Sequence, residues 1–217
     1  MNELIIFDFD GTLSDSKTSI VLTFQHACRE LGFPEPTSDT IAPLIGLPLV
    51  EMFPRSLPPV NGQGALSVAQ IEALVQAYRD AYIPIDREHT RLFDGVPAML
   101  SLLGAYKLAI ATSKTQSGAD ASLTRSGLFP YFDLVVGHDT VARPKPNPDM
   151  IEHVLRELGV APDKAVMVGD THFDLEMADA AGVRAVGVSW GMHGAEGLAR
   201  WEVVHSMAAL QETLLEF

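Results

Sequence analysis

Asp8 and Asp10 stand one residue apart at the end of an apolar run, Leu4-Ile5-Ile6-Phe7, and Gly11-Thr12-Leu13 follow. A carboxylate placed against apolar surroundings is expensive unless it binds a cation or does chemistry. Two close carboxylates in different environments can divide such work. Asp8 would be a nucleophile that accepts a phosphoryl group. Asp10 would protonate the leaving oxygen and then activate water. A calcium loop fails on spacing, because an EF-hand starting at Asp8 needs glycine where Leu13 stands and glutamate where Ser19 stands. A purely structural turn is the remaining plain alternative.

Three further clusters carry polar residues, two of them at the ends of apolar runs. Leu108-Ala109-Ile110-Ala111 ends in Thr112-Ser113-Lys114. Thr112 and Ser113 could donate to phosphate oxygens, or could simply cap the helix that follows. Arg143-Pro144-Lys145-Pro146-Asn147-Pro148 fences a lysine between prolines, so little backbone freedom is left to lose. Its ammonium could neutralise a phosphate and the neighbouring acids; the plain reading is a solvated turn, with Asn147 as a cap. Val166-Met167-Val168-Gly169 ends in Asp170, and Asp174 follows four residues on. Mg²⁺ takes hard oxygen ligands and keeps several waters. Asp8, Asp170 and the backbone carbonyl of Asp10 would suffice for it. Asp174 could orient Asp170 or a metal-bound water, or could be an ordinary first-turn acid favoured by the helix dipole. His172 reads as a partly exposed neighbour rather than a ligand, as do His26, His138 and His193, and no His/Cys set has zinc spacing.

The elements that must position these groups can be read from periodicity. Leu4–Phe7 is a buried strand. Ile20, Phe24, Ala27, Cys28 and Leu31 recur at helical spacing until Gly32-Phe33-Pro34, and Ala65 to Tyr82 forms a second amphipathic stretch. Short apolar pieces lie around Ile41–Phe53, Pro54 to Gly64 reads as an irregular loop, and no convincing strand occurs from Ser14 to about Arg91. A helix begins near Asp94-Gly95-Val96-Pro97. Strands are then predicted at Lys107–Ala111, Leu134–Val136, Ala165–Val168 and Ala185–Val188, and helices at Gln116–Ser126, Pro148–Leu158 and Phe173–Ala181. Such alternation argues a parallel sheet with helices on both faces. Ligands of such sheets bind at the carboxyl ends of the strands, where all four clusters fall. The expected architecture is an α/β Rossmann-like core, residues 1–13 and 92–217, with an inserted α-helical cap over residues 14–91.

The bulk numbers narrow the partner. The chain has 217 residues, 47% of them hydrophobic, and a formal net charge of −13. That charge argues against nucleic acid, which needs Lys/Arg stripes. An anionic substrate must then be drawn in by a local field. Cys28 is the single cysteine, so no intrachain disulfide forms, and a reducing cytoplasm fits. Glu3 replaces a basic leader region, and no stretch approaches the roughly 18 apolar residues of a membrane span, so no membrane partner is expected.

Together the motifs resemble the haloacid dehalogenase-like phosphatase superfamily over the whole chain. They run in order as DxDGT at Asp8–Thr12, the hydroxyl at Thr112, Lys145, and GDxxxD at Gly169–Asp174. Within it, the chain is similar to the branch of phosphoglycolate phosphatases and β-phosphoglucomutases. The resemblance implies Asp8 as nucleophile, Asp10 as acid and base, Mg²⁺ on Asp8, Asp10 and Asp170, and phosphate contacts from Thr112, Ser113 and Lys145. It also implies a small phosphorylated metabolite as substrate and a monomer or weak homodimer. Dehalogenases of the superfamily lack the second acid, so Asp10 favours phosphate esters. A phosphosugar mutase is the nearest alternative, but no Arg or Lys follows Gly46 where the mutases place their arginine; Arg55 comes later. A receiver-like signalling domain also uses an aspartyl phosphate, yet it carries its acceptor on an interior strand and has no helical insert.

Overall fold

The computed structural model describes residues 3–57, 59 and 65–216. They fall into two compact units, one made of the described residues up to Ser14 together with those from Leu92 on, the other of the described residues from Asp15 to Arg91.

The first unit is built on six parallel strands: β1 (Leu4–Phe7), β4 (Lys107–Thr112), β5 (Leu134–Gly137), β6 (Ala165–Gly169), β7 (Arg184–Val188) and β8 (Glu202–Val204). Their order is β5-β4-β1-β6-β7-β8. The chain builds outward from β1 to β5, then crosses back to build outward from β6 to β8. That reversal opens a crevice beside the carboxyl end of β1. Register fixes what meets there. Phe7 lies opposite Ile110 on β4 and Val168 on β6, so Asp8, Thr112 and Asp170 all emerge at one edge.

The period-two alternation of the strands divides the core. Ile5, Phe7, Val166 and Val168 pack with Met99 and Leu100 of α5 (Val96–Leu102) and with Leu210 and Leu214 of α10 (Met207–Leu215). Leu4, Ile6 and Met167 pack with Ile151 and Val154 of α7 (Asp149–Leu158) and with Met177 and Ala178 of α8 (His172–Ala181). Helix α6 (Gln116–Ser126) connects β4 to β5, and the short α9 (Gly194–Gly197) follows β7. Helices therefore cover both faces of a Rossmann-like sheet.

The second unit holds α1 (Lys17–Glu30), α2 (Ser38–Ile41), α3 (Leu49–Ser56) and α4 (Val68–His89). Phe24 of α1 and Phe53 of α3 stack with ring centroids 4.0 Å apart, and both are fully buried. Asp86, also buried, accepts hydrogen bonds from the Tyr82 and Thr90 hydroxyls at 2.6 and 2.7 Å.

Several boundaries differ from the sequence reading. Helix α4 starts later and runs seven residues beyond Tyr82, through Pro84. A Ser67–Gln70 capping box sets its start. Pro84 removes only one backbone donor, and the bonds of Asp86 hold the final turn. Pro54 lies inside α3 rather than in a loop. Of the remaining loop positions, Pro58 and residues 60–64 fall outside the described residues. Two-residue strands β2 (Ser14–Asp15) and β3 (Arg91–Leu92) bound the helical segment and form a second sheet, contrary to the expectation of no strand there. Strand β8 and helix α10 were not anticipated: three residues give too short an alternation to read.

Candidate active site

β1 is buried on every residue, and its ladder ends at Phe7. The next carboxylate, Asp8, is therefore carried into the sheet edge at 5% exposure. Gly11 then turns the chain at φ +88°, in the left-handed region that favours glycine. A Cβ at Gly11 would overlap the Asp170 carboxylate, and so would one at Gly191. Backbone thus approaches this acid from two sides.

Asp8, Asp170 and Asp174 converge, each offering a carboxylate oxygen within 4.8 Å of the others. Lys145, 1% exposed, sits among them, with Nζ 2.7 Å from Asp8 Oδ1 and 2.5 Å from Asp174 Oδ1. Asp174 Oδ2 also accepts from the backbone N–H and hydroxyl of Thr171, at 3.1 and 2.7 Å. It is an acid of the helix's first turn and also a member of the charged cluster, with Lys145 and Thr171 as its partners. Asp170 accepts from the Thr12 hydroxyl at 2.9 Å and from the Met192 N–H at 2.7 Å.

The charges do not balance internally. Three buried carboxylates face one buried ammonium, an excess of two negative charges if all are ionised. Burial raises the Asp8 carboxyl to about 7; Lys145 opposes this, while Asp174 and Asp10 add to it. Burial likewise holds Asp170 well above the usual carboxylate range, helped by Asp8 and Asp174. For Lys145, burial works against the charged form, but Asp174 and Asp8 overcome it and keep the ammonium charged. Hard oxygen donors with uncompensated negative charge suit a divalent cation such as Mg²⁺.

Asp10 points elsewhere. Its Oδ2 lies 2.8 Å from Lys114 Nζ, and both side chains are slightly exposed, at 14% and 12%. The carboxylates that converge are thus Asp8, Asp170 and Asp174, with Asp10 on a lysine of its own. Sequence reasoning quoted Lys114 but gave it no role. The only signal was a cation directly after the strand-end hydroxyls.

The hydroxyl cluster is also specific in placement. Thr112 is buried, and its Oγ1 accepts from the Lys114 N–H at 3.3 Å. Neither Thr112 nor Ser113 caps α6; Thr115 does, accepting from Gly118 N–H at 3.2 Å. Asn147 does not cap α7, and its amide donates to the Pro144 carbonyl at 3.0 Å. His172 is partly exposed and pairs with His193, the two Nδ1 atoms 2.9 Å apart. Arg55 forms an exposed ion pair with Glu51 one turn earlier on α3. No helix among the described residues is long and apolar enough to cross a membrane.

The chain is 41% identical over 202 residues to the probable phosphatase IndB of Dickeya dadantii, covering 91% of this chain and 86% of that one. It is 31% identical over 198 residues to a phosphoglycolate phosphatase of Aquifex aeolicus, covering 87% and 85%. A haloacid dehalogenase-like family hydrolase from Streptococcus pneumoniae superposes with a TM-score of 0.83 at 29% identity, over 98% of each chain. Residues 5–188 match the family described as haloacid dehalogenase-like hydrolases, and the chain belongs to that family.

Proposed function

We propose that this hydrolase is a Mg²⁺-dependent phosphatase acting on a small phosphorylated metabolite of the phosphoglycolate kind through an aspartyl-phosphate intermediate. The observation that carries the reading is the separation of the two motif acids onto different lysines. Asp8 lies in the buried charged cluster, and Asp10 lies apart from it on Lys114.

Asp8 supplies the nucleophilic oxygen. Its Oδ1 is fixed by Lys145, which leaves Oδ2 to attack phosphorus in line with the leaving oxygen. The bond from phosphorus to the leaving oxygen breaks as the bond to Asp8 forms, and Asp10 gives its proton to that oxygen. Asp10, now ionised, takes a proton from water, which attacks phosphorus and releases phosphate and free Asp8. Asp8, Asp170 and the Asp10 carbonyl would hold the cation, with Asp174 fixing Lys145 behind them. Bound there, Mg²⁺ would neutralise charge on the phosphoryl oxygens. Thr112, Ser113 and Lys145 would complete the phosphate site from the other strands.

The relatives named as phosphatases support this substrate class. The test is a panel of phosphorylated metabolites assayed with Mg²⁺ and with chelator, together with trapping of the phosphoenzyme. Turnover should need the metal, phosphoglycolate should rank among the best substrates, and label from substrate should appear on Asp8. Full activity in excess chelator would sink the metal site, and a phosphoenzyme labelled elsewhere would sink the nucleophile.

A further inference from the structure

The Asp10–Lys114 pair is the part of the site that the sequence motifs leave unexplained. Lys114 has a well-anchored backbone: its N–H donates to Thr112 Oγ1, and its carbonyl accepts from the His138 N–H at 2.9 Å. Its side chain passes near the Phe9 ring, with Nζ 5.9 Å from the centroid, and ends 2.8 Å from Asp10 Oδ2. The other oxygen, Asp10 Oδ1, is buried and has no hydrogen-bond partner among the described residues. A side chain held by one oxygen, with the other open, has a defined direction.

We propose that Lys114 is the positioning residue of Asp10: its ammonium grips Oδ2 and leaves Oδ1 aimed at the leaving oxygen. This rests on the reading of Asp10 as the acid. It adds that the carboxylate's aim comes from the segment after β4 and not from its own segment after β1.

Leaving groups separate this role from others. A p-nitrophenolate leaves readily without a proton, whereas an alkoxide needs one. Loss of a well-aimed acid should therefore fall on alkyl esters far more than on aryl esters. The quantity to read is kcat/KM, which reports the steps up to release of the leaving group. Three substrates suffice: p-nitrophenyl phosphate, an uncharged alkyl ester such as glycerol phosphate, and an anionic one such as phosphoglycolate.

Lys114→Met should lower kcat/KM for both alkyl esters by about tenfold or more relative to its effect on the aryl ester, mainly through kcat. Lys114→Arg, which keeps the cation, should recover a substantial part of that loss. Equal losses on all three substrates would overturn the proposal, since Lys114 would then support only the fold. A loss confined to KM for phosphoglycolate would also overturn it, because Lys114 would then bind substrate charge. Asp10→Asn run in parallel keeps the two ideas apart. If Asp10→Asn shows no preference for the aryl ester, the acid role itself fails. If Asp10→Asn shows it and Lys114→Met does not, only the positioning role fails.

Discussion

The two units of this chain bury polar groups in different ways. In the helical unit, the buried polar side chains are hydroxyls, Ser16, Ser19, Thr23 and Ser56, with Asp86 as the one buried carboxylate among the described residues. Asp86 accepts from the hydroxyls of Tyr82 and Thr90. In the sheet unit, Asp8, Asp170, Asp174 and Lys145 are all buried within one cluster. Buried charge is a weak source of stability, since desolvation offsets most of the attraction. Its concentration at one strand edge is therefore a mark of chemistry, while the satisfied carboxylate of the helical unit is a matter of structure.

The comparison breaks most visibly at Asp8. Asp8→Asn should reduce turnover to background and abolish the acid-stable phosphoenzyme, because an amide is a poor nucleophile. Near-normal turnover would remove Asp8 from its role. Asp10→Asn should be less absolute, with kcat falling roughly 10²–10⁴-fold as the proton donor is lost.

Lys145 tests whether the cluster is held together by its one cation. Lys145→Met leaves three acids facing one another and should destabilise the metal-free protein by about 3–5 kcal/mol, read from the denaturant midpoint. Saturating Mg²⁺ should return part of that loss. A variant as stable as the parent would place the lysine's charge outside the balance.

The pH dependence follows from the raised acids. Unfolded carboxyls titrate near 3.9 by general expectation, about three pH units below folded Asp8, whose value is about 7. Between these values the folded, metal-free protein binds more protons than the unfolded one, so its stability falls as pH rises through that window. Lys145 stays charged throughout and contributes no slope there. Melting temperature in chelator should decline from about pH 5 toward neutrality, and the gain from millimolar Mg²⁺ should be larger at neutral pH. Asp170→Asn should flatten both trends. A gain from Mg²⁺ that is the same at every pH would argue that the cation binds elsewhere.

The smallest effect belongs to the helical unit. Asp86→Asn keeps an oxygen for the Tyr82 and Thr90 hydroxyls and should cost about 1 kcal/mol by thermal melting, with the Mg²⁺ response unchanged. A large shift in the Mg²⁺ response would dissolve the distinction between the two kinds of buried acid.

The sequence by itself determined the order of strands and helices in the sheet unit. Five apolar runs alternate with helical periodicity, and each run is followed by glycine, hydroxyl or acid. It also marked the strand-end residues, because a carboxylate or a proline-fenced lysine beside an apolar run has few cheap explanations. It misread α4 and α3, where a proline is tolerated because neighbouring contacts supply what the lost bond removed, and it missed β8, whose three residues carry no usable period. Partnership was beyond it. The linear motif names no partner for either Asp8 or Asp10; Lys145 takes the first and Lys114 the second. Asp174 reads as an acid that orients Asp170 or a metal-bound water, or as an ordinary first-turn acid, and neither reading contains the Lys145 that the chain between β5 and α7 brings against it. Lys145–Asp8 and Lys114–Asp10 join residues more than a hundred positions apart, and Lys145–Asp174 joins a loop to the first turn of α8, so no local pattern encodes any of them. The parallel ladder that sets Phe7 against Ile110 and Val168 brings the ends of β1, β4 and β6 together, and only the tertiary fold decides which acid meets which lysine.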